Sequence, residues 1–397
     1  MLSSGKRPSA RLVTRRGTGP TGTGNRAGGT GQRVVHVSPH YPPSVGGLAK
    51  VVESLAVDRI KRGLEVEVLT SLDRRSRNTD PSGAAFVRRL PSWEFANTVI
   101  MPGLAGALLK LPRRSVVHLH VAQAFVPEVV YATHHLLRGQ PYVAQLHLDV
   151  GPSGWAGFLL HAYKPLILGP VLRAAAAVVV FTDEQRAVVA SKYGVDPLRI
   201  AVIPNGVDER FFNTGERFLH SKPRLLFVGR LSVQKNLLLF LRALDGVSDR
   251  FDTTLVGDGG LEAELRRAAA KLRLQNVRFY GHADGAELVE LYREADLFVL
   301  PSEREGMPLV LLEAMAMGLP IVATDVPGSR DIVVQGHNGV LVPLGDPVAF
   351  RRALLHVTGD SGMYRRMSDR SRHLVDKYSW RTVGAEFERV YSSLSER

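Results

Sequence analysis

The chain has 397 residues, enough for two domains with separate cores, and its 45% hydrophobic and 22% charged residues are ordinary for a globular protein. It has no cysteine, which excludes disulfides, thiolate nucleophiles and cysteine-ligated zinc and is consistent with a reducing cytoplasm. The formal charge of +13 favours acidic partners; residues 1–32 supply six of these charges and no acidic residue, which leaves +7 for the body.

Residues 1–32 are rich in Gly, Thr, Ser and Arg and predict a disordered basic tail. Residues 17–22 match the GxGxxG dinucleotide-binding pattern, but no predicted strand precedes them and no helix follows. No nucleic-acid partner is expected, because no helix-turn-helix, zinc-finger or aromatic-basic pattern occurs. The most apolar stretch, 157–181, is interrupted by two prolines and by Lys164 and Arg173, so it is not predicted to span a membrane.

Strands and helices alternate from residue 33 to residue 208, which predicts a first α/β domain with a doubly wound parallel sheet. The predicted strands are 34–37, 65–70, 116–120, 142–147, 175–181 and 200–203. One predicted helix ends near residue 62, and two others span 126–138 and 183–193. The polar residues 71–85 predict a loop. Ligands bind such sheets at the carboxyl ends of the strands, so residues just after each strand are the candidates for a site.

Four residues of the first domain follow or end strands in this way. Gly46 and Gly47 lie in the loop after the first strand, where paired glycines let the backbone approach a ligand closely. His147 ends its strand on the predicted rim, and His120, two residues after His118, is nearer the rim of its own strand. These histidines lack the close spacing of metal-binding motifs, so no metal site is predicted.

The same alternation resumes at residue 223, after a predicted linker at 209–222. The predicted strands are 224–228, 253–256, 277–280, 296–300 and 321–324. One predicted helix ends near residue 244, and four others span 261–272, 286–294, 308–317 and 380–395. Arg230 and Lys235 flank the first strand-to-helix turn of this second domain. A guanidinium forks onto phosphate oxygens and a lysine adds a point charge, so the pair can bind a phosphate group.

The most informative stretch is 301–320, where a helix is predicted to start at Pro308 directly after a buried strand. A helix start of this kind is an anion site. Glu305 precedes the helix start and Glu313 lies two turns into the helix. Carboxylates beside a phosphate site are explained if the ligand also carries hydroxyls, as a nucleotide sugar does. The free backbone N–H groups at the predicted helix start belong to Met307, Leu309 and Val310.

The segment Pro-Ser…Glu-Gly-Met-Pro-Leu…Glu-Ala-Met-Ala…Gly-Leu-Pro-Ile-Val-Ala resembles the paired-glutamate motif of retaining family-4 glycosyltransferases, which have the GT-B fold. The resemblance covers about residues 33–397, and Ile-Pro-Asn-Gly-Val-Asp at 203–208 is similar to the family's inter-domain turn. One departure is Asp331, where the family usually has Glu.

The resemblance implies two Rossmann-like, doubly wound parallel-sheet domains that face a central cleft. It places an acceptor-side domain at 33–208, a nucleotide-sugar domain at 223–377, and a C-terminal helix at 378–397 that returns to the first domain.

The resemblance also implies roles for individual residues. The catalytic residues it implies are His147 and Glu305. The donor diphosphate would contact Gly47, Arg230, Lys235, Met307, Leu309 and Val310. The donor sugar would contact His147, Glu305 and Gly306, and the nucleoside would contact His282 and Glu313. The acceptor side would include Gly46, His120 and Asp149.

The implied reaction moves a hexosyl or N-acetylhexosaminyl group from a UDP- or GDP-sugar to an acceptor hydroxyl with retention, and without a cofactor. No Asp-x-Asp occurs in the sequence, so the reaction is expected to need no metal ion. The first domain offers no evident partner carboxylate except Asp149, so a front-face mechanism is expected in which the phosphate takes the acceptor proton.

Two alternatives remain open on the sequence: another GT-B-like enzyme such as an epimerase or phosphorylase, or a non-catalytic binder of nucleotide sugars. The acceptor is also open between a small molecule and a lipid-linked molecule. The basic body and the apolar residues within 155–172 permit peripheral contact with an anionic membrane, so we expect a cytoplasmic protein that can rest on the inner membrane face.

Overall fold

The computed structural model describes residues 32–72, 85–95, 98–147, 164–212 and 215–395. Residues 1–31 of the predicted tail and Asp149 of the predicted acceptor side lie outside the described residues. Within the described ranges, no helix combines the length and the apolar character that crossing a bilayer requires.

Seven parallel strands form the sheet of the first domain. They are β1 (Val34–Val37), β2 (Val66–Leu72), β3 (Val87–Pro91), β6 (Val116–Val121), β7 (Tyr142–Leu146), β8 (Ala177–Val180) and β9 (Ile200–Val202), and an antiparallel pair, β4 (Trp93–Phe95) and β5 (Thr98–Ile100), follows β3. Their order in the sheet is β3-β2-β1-β6-β7-β8-β9. Separate hydrophobic clusters cover its two faces, so the central strands are buried on both sides, with His36, His118 and His120 among their apolar residues.

Six parallel strands form the sheet of the second domain. They are β10 (Arg224–Val228), β11 (Asp252–Val256), β12 (Val277–Gly281), β13 (Leu297–Leu300), β14 (Ile321–Thr324) and β15 (Gly339–Val342). Their order is β12-β11-β10-β13-β14-β15, so both domains are doubly wound parallel sheets, as predicted.

Helices connect the strands in both domains. Those of the first domain are Gly47–Lys61, Leu104–Leu109, Val126–Val130, Gly169–Ala174 and Asp183–Tyr193, with π-helical turns at Tyr131–Leu137 and Lys164–Leu168. Those of the second domain are Leu237–Leu244, Glu262–Lys271, Gly285–Glu294, Leu309–Ala316, Pro347–Gly359 and Ser361–Val375, and Trp380–Ser395 is the C-terminal helix.

Several elements differ from the sequence prediction. Strands β3 and β15 and the antiparallel pair were not predicted, and neither were the helices Leu104–Leu109, Gly169–Ala174, Pro347–Gly359 and Ser361–Val375. The predicted loop at 71–85 was wrong at its start, because Ser71 and Leu72 belong to β2. These two residues pair with Leu90 and Pro91 of β3, and this pairing outweighs the polar composition that favoured a loop.

The C-terminal helix packs against the first domain, as predicted. Its buried residues Val383, Phe387 and Tyr391 join the hydrophobic cluster of the first sheet. A Cβ atom on Gly384 would overlap the carboxylate of Asp58 on the first helix, so glycine leaves the space that this side chain occupies between the two helices.

The chain crosses between the domains twice, and the two crossings lie side by side. Val207 of the first crossing forms a parallel bridge with Ser379 of the second, and its N–H donates to the Tyr378 carbonyl at 2.7 Å. A Cβ atom on Gly206 would overlap the Trp380 ring. The two crossings therefore form one connection beside the gap between the sheets.

Candidate active site

The loop that follows β10 carries Arg230 and is held by the loop that follows β11. Cβ atoms on Gly257 and Gly259 would overlap the carbonyl oxygens of Gly229 and Leu231. Two glycines therefore let the loops touch backbone to backbone. This contact fixes the backbone of Arg230 at the carboxyl end of the second sheet.

The exposed side chain of Arg230 points across the gap towards the first domain. Its Nη2 atom would lie 3.9 Å from a Cβ atom on Gly46, the residue before the helix Gly47–Lys61. Among the described residues, the structure records no hydrogen bond or ion pair for the guanidinium of Arg230, whose backbone carbonyl accepts from the Ser232 N–H at 2.9 Å. A guanidinium thus faces the amino end of a 15-residue helix, and because both are positive, an anion placed between them would be stabilised from two sides.

Lys235 and Glu305 form a mostly buried ion pair close to Arg230. Lys235 Nζ lies 2.5 Å from Glu305 Oε1, and the two side chains are only 16% and 7% exposed. The flanking Gln234 binds the loop of Glu305, because its Nε2 donates to the Arg304 carbonyl and its own carbonyl accepts from the Glu303 N–H, both at 2.8 Å. The ion pair and the two hydrogen bonds of Gln234 therefore keep Lys235 and Glu305 next to each other.

The helix Leu309–Ala316 begins beside this pair. Pro308 is its N-cap residue rather than its first helical residue, one position from the prediction. The carbonyl of Met307 accepts a 2.8 Å hydrogen bond from Asn205 Nδ2 of the inter-domain turn. The amino end of the helix, with Leu309 and Val310 in its first turn, is thereby tied to the crossing between the domains.

Glu313 lies deeper along the same helix and is 8% exposed. Its Oε2 atom accepts a 2.9 Å hydrogen bond from the Tyr292 hydroxyl. Burial raises the pKa of the Glu313 carboxyl, while the Tyr292 hydrogen bond and the charges of Lys50 and Arg210 oppose the rise. Because Lys50 belongs to the first domain, its positive charge acts on the Glu313 carboxylate across the gap.

His147 stands opposite, directly after β7 in the first domain. Its Nε2 atom lies 2.9 Å from His120 Nδ1, and its ring packs edge-on against Phe181 at 5.5 Å. Burial lowers the pKa of His147 to about 3, so the ring is neutral near pH 7. A neutral imidazole at this rim can give or take a hydrogen bond but does not supply a positive charge.

The expected acceptor contact of His120 does not agree with its position. The His120 ring is 0% exposed, with His147 at one nitrogen and His36 at the other, 3.0 Å away. The His36, His118 and His147 rings surround it, and His118 on the same face of the strand packs against Phe387 and Tyr391 of the C-terminal helix, contacts that strand position alone could not reveal. His120 therefore lies behind His147 rather than beside a ligand.

His36, His118 and His120 also have nitrogen atoms within 4.8 Å of one another, as metal ligands would. The His118 and His120 rings are stacked, with centroids 4.3 Å apart and planes at 25°. The lone pairs of stacked rings run side by side and do not converge on one ion as tetrahedral ligands do. His36 Nδ1 and His120 Nε2 are 3.0 Å apart, which is hydrogen-bonding distance.

Comparisons with known proteins identify the family and the fold of this chain. The family model described as Glycosyltransferase Family 4 matches residues 45–211, and that described as Glycosyl transferases group 1 matches residues 222–360. Glycogen synthase of Mycobacterium tuberculosis is 28% identical over 392 residues, with 90% of this chain and 94% of that protein covered.

Together the two family models cover most of both domains. The chain belongs to glycosyltransferase family 4. The phosphatidyl-myo-inositol mannosyltransferase of Mycobacterium leprae is 34% identical to this glycosyltransferase over 201 residues, 49% of this chain and 53% of that protein. A solved structure of Anabaena HepE with UDP has a TM-score of 0.75 at 17% identity and covers 91% of this chain and 100% of that one, which confirms the GT-B fold.

The remaining predicted residues of the glycosyltransferase are at strand or helix ends. Gly47 is the first residue of its helix, and Gly306 is buried next to Glu305. His282 follows β12, partly exposed, 3.8 Å from Asp284. Two cavities, of about 360 and 390 Å³, lie at the opposite, amino-terminal edge of the second sheet, next to Arg224 and Lys222, and contain none of these residues.

Gly328 is a residue of this site that the sequence analysis did not assign. A Cβ atom on Gly328 would lie 2.5 Å from the Gly306 carbonyl oxygen and 3.0 Å from that of Glu305. We expect Gly328→Ala to displace the Glu305 loop and to lower the donor turnover rate about tenfold or more, since a misplacement of about 1 Å can cost 10²-fold. Steady-state release of nucleotide from a nucleotide sugar measures this.

Gly106→Ala is the matched control for this substitution. Gly106 lies in the helix Leu104–Leu109 and has no neighbour within 4 Å of its Cβ position. Alanine there should leave turnover unchanged. Normal turnover of Gly328→Ala would show that the Glu305 loop tolerates displacement and would contradict the assigned geometry.

Proposed function

We propose that this glycosyltransferase transfers a hexosyl or N-acetylhexosaminyl group from a UDP- or GDP-sugar to an acceptor hydroxyl, with retention at the anomeric carbon and without a metal ion. The observation that carries the proposal is the Lys235–Glu305 pair beside the amino end of Leu309–Ala316, with Arg230 facing Gly46 across the gap. This arrangement presents cations and free N–H groups to a diphosphate and a carboxylate to sugar hydroxyls.

The free enzyme keeps Lys235 partly neutralised by Glu305. A donor diphosphate would approach Lys235 from the side of Arg230, and the lysine would then share its charge between phosphate and carboxylate. Glu305 retains a second oxygen that can accept from a sugar hydroxyl. Glu305 therefore has two tasks in the proposal: it holds Lys235 in place and it orients the sugar.

The transfer step breaks the bond between the anomeric carbon and the phosphate oxygen. Negative charge grows on that oxygen, and Arg230, Lys235 and the amino end of Leu309–Ala316 stabilise it. The acceptor oxygen bonds to the same face of the anomeric carbon, and its proton passes to the departing phosphate oxygen. In this front-face mechanism no protein carboxylate forms a covalent bond, and Glu305 is not a nucleophile.

Other residues would complete the donor site. We assign His147 to a sugar contact from the first domain, Glu313 and His282 to the nucleoside, and Gly47 to the diphosphate. The crystal structure of HepE with UDP supports a uridine nucleotide as the first donor to test. A thermal-shift screen of UDP-, GDP- and ADP-sugars measures this directly, since a ligand that binds only the folded state raises the melting temperature. No shift with any of the three would contradict the proposal.

In our proposal, the transfer reaction needs no divalent metal ion. With Arg230, Lys235 and a helix end in place, the leaving diphosphate already has cations and N–H groups to neutralise it. We expect excess EDTA to leave the rate of the purified enzyme unchanged and added Mg²⁺ or Mn²⁺ to raise it little. Loss of activity in EDTA, restored by Mn²⁺, would show that a metal ion takes part.

The stereochemistry is tested separately. The anomeric proton coupling of the transfer product distinguishes retention from inversion by NMR, and an inverted product would overturn the front-face mechanism. Trapping a sugar on Glu305 or Asp149 would favour a double displacement instead.

The acceptor is proposed only by class, as a small molecule or a lipid-linked molecule with a free hydroxyl. Glycogen synthase and the phosphatidyl-myo-inositol mannosyltransferase bear names that imply different acceptors, so similarity does not choose between the classes. We place the reaction in the cytoplasm, because a cysteine-free chain suits a reducing compartment, with peripheral contact to an anionic membrane where the acceptor is a lipid.

A further inference from the structure

A row of histidines lies between the first sheet and the C-terminal helix. His36 on β1 pairs in register with His118 on β6, and His120 is two residues further along β6, so all three share one face of the sheet. His147, just after β7, continues this row to the rim. His36, His118 and His120 are each 0% exposed.

Three of these rings are joined by two hydrogen bonds. His36 Nδ1 lies 3.0 Å from His120 Nε2, and His120 Nδ1 lies 2.9 Å from His147 Nε2. Burial lowers the pKa of all three imidazoles well below the usual value, so each ring is neutral and carries one proton. Both contacts are satisfied only if the three protons are arranged in the same direction along the row.

His36 lies at the buried end of these three rings, and its second nitrogen decides in which direction the three rings donate their protons. His36 Nε2 is buried and has no hydrogen-bond partner among the described residues. In one direction this atom is an unmatched lone pair, and in the other it is an unmatched N–H. Orphaned N–H groups are the rarer of the two in buried positions, so His36 carries its proton on Nδ1 and donates to His120. His120 then donates from Nδ1 to His147 Nε2.

We propose that His36 and His120 are positioning residues that fix the tautomer of His147, with its proton on Nδ1 at the open end of the row. This atom has no protein partner among the described residues. Its N–H can therefore donate to a hydroxyl oxygen of the donor sugar. The sugar contact rests on the proposed function; the order of protons does not, because it follows from the free protein.

The order of protons can be measured by NMR on protein labelled with ¹⁵N in its histidines. The two nitrogens of a neutral ring give separate protonated-type and unprotonated-type signals, so the tautomer of each ring is visible. We expect His147 in the wild type to show a protonated Nδ1 and an unprotonated Nε2. A protonated Nε2 in the wild type would overturn the proposal without any variant.

His120→Phe removes both contacts and keeps a ring of similar size. We expect the His147 signals to move towards a mixture of tautomers and the rate of nucleotide release to fall about fivefold, the size of one hydrogen bond. His36→Phe breaks the row one ring further away and should shift the same signals less. If His120→Phe does not fold, this second variant carries the test.

His118→Phe is the matched control, because His118 is equally buried on the same strand but bonds to the Tyr391 hydroxyl, at 2.7 Å, and to none of the three hydrogen-bonded rings His36, His120 and His147. It should lower stability yet leave the His147 signals in place. Equal effects of His118→Phe and His120→Phe on those signals would reduce His120 to a packing role. If no nucleotide sugar shifts the His147 Nδ1 signal, the proposed contact between His147 and the sugar is contradicted, while the proposed order of protons still stands.

Discussion

Lys235→Met is expected to lower the rate of nucleotide release from a nucleotide sugar by about 10²-fold or more, the usual cost of removing a group that stabilises developing charge. The substitution has a second consequence, because Lys235 is 16% exposed and neutralises Glu305 at 2.5 Å. Without the lysine, a mostly buried carboxylate would repel the arriving diphosphate. Initial rates at saturating and at low donor concentration measure both effects.

The double variant Lys235→Met with Glu305→Gln separates the two effects. It removes the repulsion but not the loss of the cation, so donor affinity should recover in part while the maximal rate stays low. Lys222→Met is the control, since Lys222 also pairs with a carboxylate, Asp252 at 2.7 Å, but at the opposite edge of the second sheet. Wild-type rates for Lys235→Met would remove the lysine from the proposed mechanism.

Glu388→Gln is expected to lower the free energy of unfolding by about 3 kcal/mol, as is typical when one partner of a buried ion pair is removed. Arg59 is 3% exposed, its guanidinium binds both oxygens of Glu388, and it also donates to the Gln32 and Glu65 carbonyls. This pair joins the C-terminal helix to the first helix, so its loss weakens the packing of the C-terminal helix on the first domain. The midpoint of urea unfolding, followed by circular dichroism, measures the change.

A double apolar replacement tests the reason for that loss. Arg59→Met with Glu388→Leu leaves no unpaired charge behind and should cost clearly less than Glu388→Gln alone. Glu262→Gln is the control, because Glu262 and Arg266 form an exposed pair within one helix and its loss should shift the free energy by about 0.5 kcal/mol or less. An unchanged midpoint for Glu388→Gln would show that the C-terminal helix is held by its apolar contacts alone.

The sequence alone was sufficient for the alternation of strands and helices and for the family resemblance. The predicted bounds of Asp183–Tyr193 and Arg224–Val228 agree with the structure, because apolar periodicity and turn residues act over a few neighbouring positions. Glu305 and Lys235 could be singled out for the same reason, since each lies in a short motif at the end of a strand. Edge strand β3 was missed because its charged residues do not resemble a buried strand.

Only the tertiary structure decided which distant residues act together. Local pattern did not reveal that Asn205 holds Met307, that Gly328 touches Gly306, or that His36 stands behind His120. In each case the partners are separated by between 22 and 102 positions or lie on different strands, and their contact depends on strand order, register and the connection between the domains. Those are set by burial of the whole core, which no short stretch of sequence encodes.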